Sequence, residues 1–359
     1  MTSSSRHSDI AHARQTVLAE GGDAARGHLA PWVQRSWQRC LASGLQASAE
    51  AHFEVLSGAH IRHTAEANAH LVQAARPLLQ GLGRAIVNTR YFAILTNAQG
   101  VVIDVDGGID RSDVRADLIT RIGTDLSEAQ VGTTAIGTAL AELQPVWLHR
   151  GEHFFANTSH YSCAGAPLIG PDGRCVGMLD VTGIDVQERP ELKHLVTQTA
   201  GRIENALVLS QKHALCVRLN WPGNALGGEG DGMVCLDGDG WITGANPIAR
   251  QMVTHMAAQG EHAMHASEVF GAPYEMLFDS ARHRAGPIEI PLWSGLRLQA
   301  LPLTQREDFQ APQTPPRPLR DIETTLIREA VSKAHGNVAQ AAQALGISRA
   351  TVYRKLGKK

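Results

Sequence analysis

Five side chains that can bind a metal or take part in catalysis lie within fifteen residues of one another. They are His149, Glu152, His153, His160 and Cys163. Imidazole and thiolate groups bind iron and zinc, and a cysteine beside a histidine can act as a nucleophile. However, the spacing matches no standard ligand pattern, and the sequence shows no third group to orient the histidine. We therefore predict no metal site, no cofactor and no catalytic residue. Packing inside a core is the competing interpretation of the cluster.

Cysteine usage and the lack of apolar segments indicate a compartment. The five cysteines, at positions 40, 163, 175, 216 and 235, are odd in number and lack CxxC spacing. This argues against a disulfide framework or a zinc knuckle and is typical of a reducing cytoplasm. Cys163 or Cys175 would be a redox sensor only with a lowered pKa, which nothing in the sequence indicates. The sequence shows neither a signal peptide nor a run of about 18 apolar residues, so we predict a cytoplasmic protein without membrane contact.

A pattern near the C-terminal end predicts a helix-turn-helix. Ala342, Gly346 and Val352 stand at relative positions 0, 4 and 10. The first must be small because two helices cross there at close range, the glycine permits a left-handed turn, and the β-branched residue packs the third helix onto the second. Ser348 is well placed as the N-cap of that third helix. We expect the second helix to span about 338–345.

The polar side chains of this motif are suited to base edges and phosphates in a major groove. The predicted DNA-binding residues are Asn337, Gln340, Ser348, Arg349, Thr351, Tyr353, Arg354, Lys355 and Lys358. From Arg317 onward the chain has nine basic and three acidic residues, a net charge of +6, whereas the whole chain carries −2. A basic segment on an otherwise acidic protein indicates a polyanionic partner. A solvated basic tail is the alternative interpretation of the charge alone.

The run from Gly336 to Leu356, GNVAQAAQALGISRATVYRKL, closely resembles the C-terminal domain of the nucleoid protein Fis and of many bacterial enhancer-binding regulators. That resemblance implies a homodimer on a pseudo-palindromic double-stranded DNA site.

Two earlier stretches resemble the N-terminal part of the acetoin-catabolism activator family. They are RSWQRCLASGL (35–45) and the segment 123–183, which contains GTTAIGTALAE and SCAGAPLIGPDGRCVGMLDVTG. The resemblance implies a GAF domain that binds a small-molecule effector, such as a small alcohol, a ketone or an aromatic. The effector-binding residues it implies are Thr133, Thr134, His153, Phe154, Cys163 and Asp180. The chain departs from the family at Thr134, where asparagine is usual, and at Leu126, where tryptophan is usual.

The segment 228–305 more weakly resembles a PAS domain, through DGMVCLDGDGWITGANPIARQM and the two strands expected in 286–303. Such a domain would bind a ligand or mediate dimerisation, and both remain open.

Nucleotide hydrolysis is not expected. The acetoin family places an AAA+ ATPase before its DNA-binding domain, yet this sequence contains neither a GxxxxGK[ST] phosphate-binding loop nor the GAFTGA element that contacts sigma-54. The glycine-rich run NALGGEGDG (224–232) lacks the required lysine, and we interpret it as a linker. Only about 15 residues separate the last predicted strand from the first C-terminal helix. We therefore predict that the protein does not remodel sigma-54 polymerase.

The elements that must position these residues predict a multidomain α+β protein, with GAF-like and PAS-like antiparallel-sheet domains followed by an all-α helix-turn-helix. Hairpins are expected at 91–105, 164–183 and 233–246, and a long helix from Pro190 to about Leu219. The apolar stripe of that helix would pack on its own domain or form a dimer seam. The predicted division is 1–78 helical and loosely ordered up to residue 30, 79–205 GAF-like, 206–227 helical and glycine-rich linker, 228–305 PAS-like, 306–318 proline-rich linker, and 319–359 helix-turn-helix.

The sequence thus predicts an effector-controlled, sequence-specific transcriptional regulator rather than an enzyme. Besides DNA, an effector and a second copy, its expected partners include RNA polymerase or another regulator. The alternative is a sensor or scaffold that acts through protein contacts and binds DNA non-specifically. A small-molecule enzyme on a GAF fold is the third hypothesis, and it lacks a catalytic constellation.

Overall fold

The computed structural model describes residues 3–19, 29–54, 56–253, 256, 263–304, 319–334 and 336–357. Its N-terminal region contains the helices α1 (Ser3–Arg14), α2 (Pro31–Ala42), α3 (Gly58–Ala67) and α4 (Ala69–Ile86), and α1 continues into a π-helical segment, Gln15–Ala19. The prediction of loose order up to residue 30 is wrong for residues 3–19, because Ile10, Ala13 and Val17 are buried. Residues 20–28 lie outside the described part. The predicted boundary after residue 78 falls inside α4, which is one continuous helix.

The first sheet consists of β1 (Tyr91–Asn97), β2 (Val102–Gly107), β3 (Val146–His149), β4 (Tyr161–Ile169) and β5 (Cys175–Ile184). Its antiparallel strands are ordered β2-β1-β5-β4-β3. Both predicted hairpins are present, as β1–β2 and β4–β5. The central strands are buried along nearly their whole length because both faces of the sheet are covered. One face packs against α4 and α8 (Leu192–Leu209), and the other against α2 and the segment that joins β2 to β3.

That joining segment contains the short helices α5 (Val114–Ile119), α6 (Glu128–Val131) and α7 (Ala135–Glu142). Thr134 is the N-cap of α7, and its hydroxyl accepts a hydrogen bond from the Gly137 amide at 3.1 Å. Gly132 has a φ of +64°, and a Cβ there would lie 2.9 Å from the Cβ of Phe154. The chain can therefore turn tightly into α7 while it touches the loop after β3.

Helix α8 ends at Leu209, so the prediction of a helix to about Leu219 is wrong. Its apolar stripe, which includes Leu192, Val196 and Ile203, is buried against the first sheet and α4. Of the two predicted roles for this stripe, the structure therefore shows packing within its own domain.

The second sheet consists of β6 (Leu215–Asn220), β7 (Gly232–Leu236), β8 (Ile242–Ala245), β9 (Ile288–Pro291) and β10 (Arg297–Thr304), in the order β8-β7-β6-β10-β9. Helices α9 (Pro247–Met252), α10 (Ala266–Val269) and α11 (Glu275–His283) accompany it. The prediction of a linker over 206–227 is wrong, because β6 is the central strand and pairs with both β7 and β10. A short apolar run such as LCVRL fits a helix or a strand equally well, and here the long-range pairing decides.

The glycine-rich run 224–232 closes the β6–β7 hairpin. Buried Asp231 accepts hydrogen bonds from the Gly227 amide at 2.6 Å and from the Asn220 side chain at 3.0 Å. The Arg218 guanidinium lies 3.4 Å from the same carboxylate. One buried carboxylate thus orders the loop, which is not an interdomain linker.

The two sheets are in contact through the β4–β5 turn. The Pro171 carbonyl accepts hydrogen bonds from the Ala245 amide at 3.0 Å and from the Arg250 guanidinium at 2.6 Å. At the end of α8, Asn205 accepts a hydrogen bond from the Asn246 side chain at 2.8 Å. Movement of the β4–β5 hairpin would therefore directly displace residues of the second sheet domain.

The C-terminal helices are α12 (Leu319–Lys333), α13 (Val338–Leu345) and α14 (Arg349–Leu356). Ile327, Ala342, Leu345 and Val352 form their small core. The predicted fold class is confirmed as two antiparallel sheets with helices, followed by an all-helical unit. Residues 305–318, which include the predicted proline-rich linker, lie outside the described part.

A buried carboxyl group on α8 makes the stability of the first sheet domain depend on pH. Glu204 accepts a hydrogen bond from the Ile169 amide at 2.8 Å, and burial raises the pKa of its carboxyl group to about 7. The protonated form is therefore favoured in the fold. The stabilisation this provides is present at low pH and is lost as the pH rises through about 7.

We expect Glu204→Gln to raise the free energy of unfolding by about 1–3 kcal/mol at pH 8.5, where the wild-type side chain must ionise inside the protein. At pH 4.5 the two proteins should differ by less than about 0.5 kcal/mol, because the wild-type side chain is then protonated in the fold and about half protonated in the unfolded state. Urea unfolding at the two pH values measures the difference. The matched control Glu66→Gln, at an exposed position of α3, should change neither value. A Glu204→Gln effect that is independent of pH would contradict the assignment.

Candidate functional site

The turn between α13 and α14 has the geometry of the predicted motif. Gly346 has a φ of +67°, which allows the chain to reverse within three residues. The hydroxyl of Ser348 accepts a hydrogen bond from the Thr351 amide at 3.1 Å and so caps α14. The side chain of Asn337 caps α13 by accepting from the amides of Ala339 and Gln340. The two helices are therefore fixed relative to each other by local interactions.

The predicted DNA-binding residues occupy the outside of this unit. Val352 is fully buried, whereas Arg349, Tyr353 and Arg354 on the same helix are exposed. The exposed set also includes Asn337, Gln340 and Ser348, and the half-buried set includes Thr351 and Lys355. Lys358 lies outside the described residues. Helix α14 thus presents a basic and aromatic surface beside the turn.

A second candidate site is a cavity within the first sheet domain. Its volume is about 30 Å³. Its wall is mostly apolar, with a few polar side chains on the sheet. The lining residues are Phe53, Ile94, Ile119, Leu126, Thr134, Ala135, Ile136, His153, Thr158, Tyr161, Cys163, Asp180 and Thr182.

Four of the six predicted effector-binding residues line this cavity, namely Thr134, His153, Cys163 and Asp180. Thr133 and Phe154 do not line it, and their role in effector binding stays a prediction. Thr133 is buried with its hydroxyl 2.7 Å from that of Ser36 on α2, and Phe154 packs edge-on against the neighbouring ring. Nine lining residues were missed, and most are apolar, so their types alone do not distinguish them from ordinary core residues.

A row of polar groups runs along the sheet wall of the cavity. The Thr182 hydroxyl lies 3.2 Å from Cys163 Sγ and donates a hydrogen bond to Asp180 Oδ2. Cys163 Sγ lies 3.6 Å from Nε2 of His153, whose Nδ1 is 2.9 Å from the Arg150 carbonyl. The register places Asp180 opposite Ile94 on β1 and Gly165 on β4, in the middle of the sheet.

Burial controls the protonation of this row. It lowers the pKa of His153 to about 4, so the imidazole is neutral at physiological pH. It raises the pKa of the Cys163 thiol well above its ordinary value and that of the Asp180 carboxyl to about 7. Since a nucleophilic or redox-active cysteine needs a lowered pKa, the environment of Cys163 disfavours both roles.

The other members of the His/Cys cluster point to different partners. His149 Nδ1 lies 2.6 Å from the Ser162 hydroxyl, and His160 pairs with Asp185. Within the described ranges, no three histidine, cysteine, aspartate or glutamate side chains are grouped so that they could hold a metal ion.

The N-terminal helices hold the loop that carries His153. Arg14 on α1 donates hydrogen bonds to the carbonyls of Gly151 and Phe154, both at 2.9 Å, and to that of His153. Trp37 on α2 donates from Nε1 to the Glu152 carbonyl at 2.9 Å. The loop after β3 is therefore fixed by side chains that come from more than 100 residues earlier.

Polar contacts also connect α2 to the helices beside the cavity. Arg39 pairs with Glu128 at 2.8 Å and with Glu142 at 2.6 Å, and Arg35 pairs with Glu142. Ser36 donates to Glu128, which lies on α6. Arg35, Ser36 and Arg39 belong to the run RSWQRCLASGL. The structure therefore gives this run a role in packing α2 against its neighbours rather than a chemical role.

Comparison with known proteins identifies two regions of the chain. Residues 6–205 match the MimR N-terminal domain, and residues 318–358 match the Fis family of bacterial regulatory proteins. No helix in the described part of the chain is long and apolar enough to cross a membrane.

Two curated relatives are transcriptional regulators. The acetoin catabolism regulatory protein of Cupriavidus necator is 30% identical over 281 residues, which cover 75% of this chain and 41% of that protein. The propane 2-monooxygenase operon transcriptional activator MimR of Mycolicibacterium goodii is 28% identical over 204 residues, which cover 55% of this chain and 33% of that protein. The chain thus spans less than half the length of these relatives. A chain of the E. coli DhaR(N)–DhaL crystal structure aligns with 76% of this chain and 99% of its own length, at 14% identity and a TM-score of 0.46.

Proposed function

The chain belongs to the MimR N-terminal-domain family, and from that premise we propose that it regulates transcription by binding specific DNA sequences under the control of a small-molecule effector. The observation that carries the proposal is the capped α13–α14 turn, which exposes Arg349, Tyr353 and Arg354 on one helix while Val352 holds that helix in place. A helix presented in this way is suited to the major groove.

The cavity is the proposed effector site, and we infer that the first sheet domain is GAF-like and the second PAS-like. Both positions at which the chain departs from the acetoin-activator family, Leu126 and Thr134, line the cavity. Leucine is smaller than the tryptophan that is usual there, so we expect the cavity to select its ligand differently from those relatives.

The β4–β5 hairpin carries Cys163, Asp180 and Thr182, and its turn contacts the second sheet through Pro171 and Arg250. Effector binding would therefore alter the second sheet and, through it, the arrangement of the DNA-binding units. Coupling of this kind typically amounts to about 1–3 kcal/mol.

The match of the C-terminal unit to the Fis family bears on the oligomeric state and on how the protein affects transcription. We propose a homodimer on a pseudo-palindromic site, in the bacterial cytoplasm. Because the apolar stripe of α8 packs on its own sheet, we do not assign the dimer contact to that stripe. Only 14 residues, 305–318, lie between β10 and α12, which is too few for an ATPase domain there. We therefore propose that the protein acts by recruiting or blocking RNA polymerase or another regulator.

We expect Arg349→Ala to weaken binding to a selected DNA site by about 1–3 kcal/mol, the contribution of a good bidentate base contact. The site is first obtained by selection from random DNA with the full-length protein, and affinities are then measured by fluorescence anisotropy across a salt series. Arg328→Ala, at an exposed position of α12, removes the same charge away from the turn and is the matched control. Arg328→Ala should change the affinity for the selected site and the affinity for unrelated DNA by the same factor.

The same experiment tests the scaffold alternative. If selection enriches no consensus, and wild type and Arg349→Ala bind any DNA equally with a steep salt dependence, only phosphate contacts are made. The specific-regulator proposal would then be wrong, and the scaffold function would be favoured.

A further inference from the structure

Aromatic side chains lie side by side on the surface of the second sheet domain. Trp241 is 44% exposed, and its ring packs edge-on against that of His265, with 5.1 Å between the centroids. His265 packs in the same way against Tyr274 at 5.0 Å. The Ser267 carbonyl, two residues further on, accepts a hydrogen bond from Nε1 of Trp293, which is 68% exposed. We call Trp241, His265, Tyr274 and Trp293 the aromatic surface.

The backbone holds these rings in place although they are not buried. Nε2 of His265 lies 2.8 Å from the Asp239 carbonyl, and its Nδ1 lies 2.7 Å from the Ser267 hydroxyl. Gly240 has a φ of +88°, and a Cβ there would lie 2.6 Å from the ring of Tyr274. Large exposed apolar side chains that are grouped and fixed in this way are typical of an interaction site.

The chain contains a segment of the kind that such surfaces bind. Residues 311–318 read APQTPPRP and lie outside the part of the chain that the structure describes. Pro312, Pro315 and Pro318 recur at every third position. A polyproline II helix has about three residues per turn, so these three prolines share one side of it. Proline-rich segments of this conformation dock on surfaces lined by aromatic rings.

The segment begins within reach of the aromatic surface. The strand register places four residues in one row across the second sheet, namely Thr304, Leu215, Leu236 and Ile242. Neighbouring strands are about 4.8 Å apart, so Ile242 lies about 14 Å from Thr304, where β10 ends. The six residues 305–310 precede the segment, and an extended chain of that length spans up to about 20 Å. The segment can therefore reach Trp241, which precedes Ile242.

The charges of the segment and of the surface are complementary. The segment carries Arg317 among its prolines. Two exposed acidic residues, Asp239 and Glu268, adjoin His265 in the aromatic surface. Asp239 contacts its imidazole through the carbonyl, and the Glu268 carboxylate accepts a hydrogen bond from the His265 amide at 3.0 Å. An arginine beside these carboxylates would be stabilised by both of them.

We propose that the proline-rich segment 311–318 docks on the aromatic surface of its own chain. Pro312, Pro315 and Pro318 pack against the rings, and Arg317 lies beside Asp239 and Glu268. The interaction depends neither on effector binding in the cavity nor on DNA binding.

Docking would connect the DNA-binding unit to the contact between the two sheets. Trp241 precedes β8, and at the other end of that strand the Ala245 amide donates a hydrogen bond to the Pro171 carbonyl in the β4–β5 turn. Helix α12 begins at Leu319, directly after the segment. A docked segment would therefore fix the start of the DNA-binding unit to a strand that the first sheet domain contacts.

The test is ¹⁹F NMR of the full-length protein labelled with 5-fluorotryptophan. The signals of Trp221, Trp241 and Trp293 are assigned by tryptophan-to-phenylalanine substitutions. The double variant Pro315→Ser, Pro318→Ser removes the shared side of the prolines, so we expect the signals of Trp241 and Trp293 to shift. That of Trp221 should stay in place, because this tryptophan is 38% exposed but follows β6 at the opposite end of the sheet.

A matched control variant is Gln313→Ser, Thr314→Ser. It introduces the same two serines between the prolines and leaves their spacing intact, so all tryptophan signals should keep their wild-type positions. The signals of Trp32, Trp37 and Trp147, which lie in the first sheet domain, report whether each variant is folded.

A synthetic peptide with the sequence of residues 311–318 tests the same surface from outside. We expect it to bind the Pro315→Ser, Pro318→Ser variant and to return the signals of Trp241 and Trp293 towards their wild-type positions. Wild type should bind the peptide at least about tenfold more weakly, because its own tethered segment competes at an effective concentration in the millimolar range.

Three results would overturn the proposal. Unchanged Trp241 and Trp293 signals in the double proline variant would show that the segment does not contact the aromatic surface. Equal affinity of wild type and variant for the peptide would mean that the surface is open to a proline-rich segment of another protein. A difference between wild type and variant that disappears on dilution would show that a second copy supplies the segment. None of these results bears on the effector cavity or on DNA binding, which have their own experiments.

Discussion

Replacing Ala342 with leucine is expected to lower the affinity for the selected DNA site by about 100-fold. Ala342 is 3% exposed and lies in the small core with Ile327, Leu345 and Val352. Overpacking a core typically costs about 1–3 kcal/mol, and a unit of roughly 40 residues has little stability to lose. Helix α14 would therefore lose its position against α13, and the residues it exposes would no longer meet the groove together.

The matched control is Ala344→Leu, the same substitution two residues later on an exposed face of α13. It should leave DNA affinity within about twofold, because surface substitutions are usually within about 0.5 kcal/mol of neutral. Anisotropy measures both variants, and far-UV circular dichroism should show the thermal unfolding of the two sheets unchanged. Equal DNA affinities for Ala342→Leu and the wild type would show that the close helix crossing does not position the DNA-binding surface.

The helix-turn-helix could be predicted in detail because its determinants are local. The spacing of Ala342, Gly346 and Val352 and the cap at Ser348 all lie within eleven residues, and each acts on its own turn of helix. The predicted second helix coincides with α13 as observed. Hairpins were predictable for the same reason, since a turn such as Pro171–Gly173 determines how its two flanking strands pair.

The second sheet shows where local patterns fail. Strand β6 lies at the centre of that sheet, but its partners β7 and β10 are supplied by later parts of the chain. The apolar residues at 215–219 continue the pattern of α8 closely enough to be taken for helix. The residues next to β6 in the sequence do not indicate which strands it pairs with, and the glycines that follow it resemble a linker.

The cavity was only partly predictable for a similar reason. The residues His153, Cys163 and Asp180 were identified through a family resemblance, whereas Phe53 and Ile119 reach the wall from segments with no motif. That Asp180 Oδ1 accepts no hydrogen bond from a described residue could not be inferred from the sequence, because the neighbours of Asp180 depend on the register of the paired strands. Register is a property of paired strands rather than of one strand's sequence.

The run RSWQRCLASGL resembles a family motif, but its sequence does not reveal its role. In the structure, Trp37 of this run holds the loop after β3 in place. We expect Trp37→Ala to lower the free energy of unfolding of the first sheet domain by about 3–5 kcal/mol, as is typical for a fully buried tryptophan. The substitution also removes the hydrogen bond to the Glu152 carbonyl and the ring beneath the Arg14 guanidinium. The loop that carries His153 would be loosened, and we therefore expect the cavity to bind small organic ligands more weakly. Urea unfolding followed by circular dichroism gives the energy, and ligand-observed NMR the affinity.

Trp32→Ala is the matched control, because this tryptophan lies on the same helix but is only partly buried. Lys193 lies over its ring at 4.5 Å, and its indole N–H donates to no described residue. We expect Trp32→Ala to lower the free energy of unfolding by about 1–2 kcal/mol and to leave ligand binding in the cavity unchanged. Equal losses of stability and of binding in the two variants would mean that α2 contributes only general packing. A loss confined to Trp37→Ala would instead establish α2 as the element that holds the loop against the cavity. Any signal that changes how α2 packs would then change effector affinity, and by thermodynamic reciprocity the effector would alter the packing of α2.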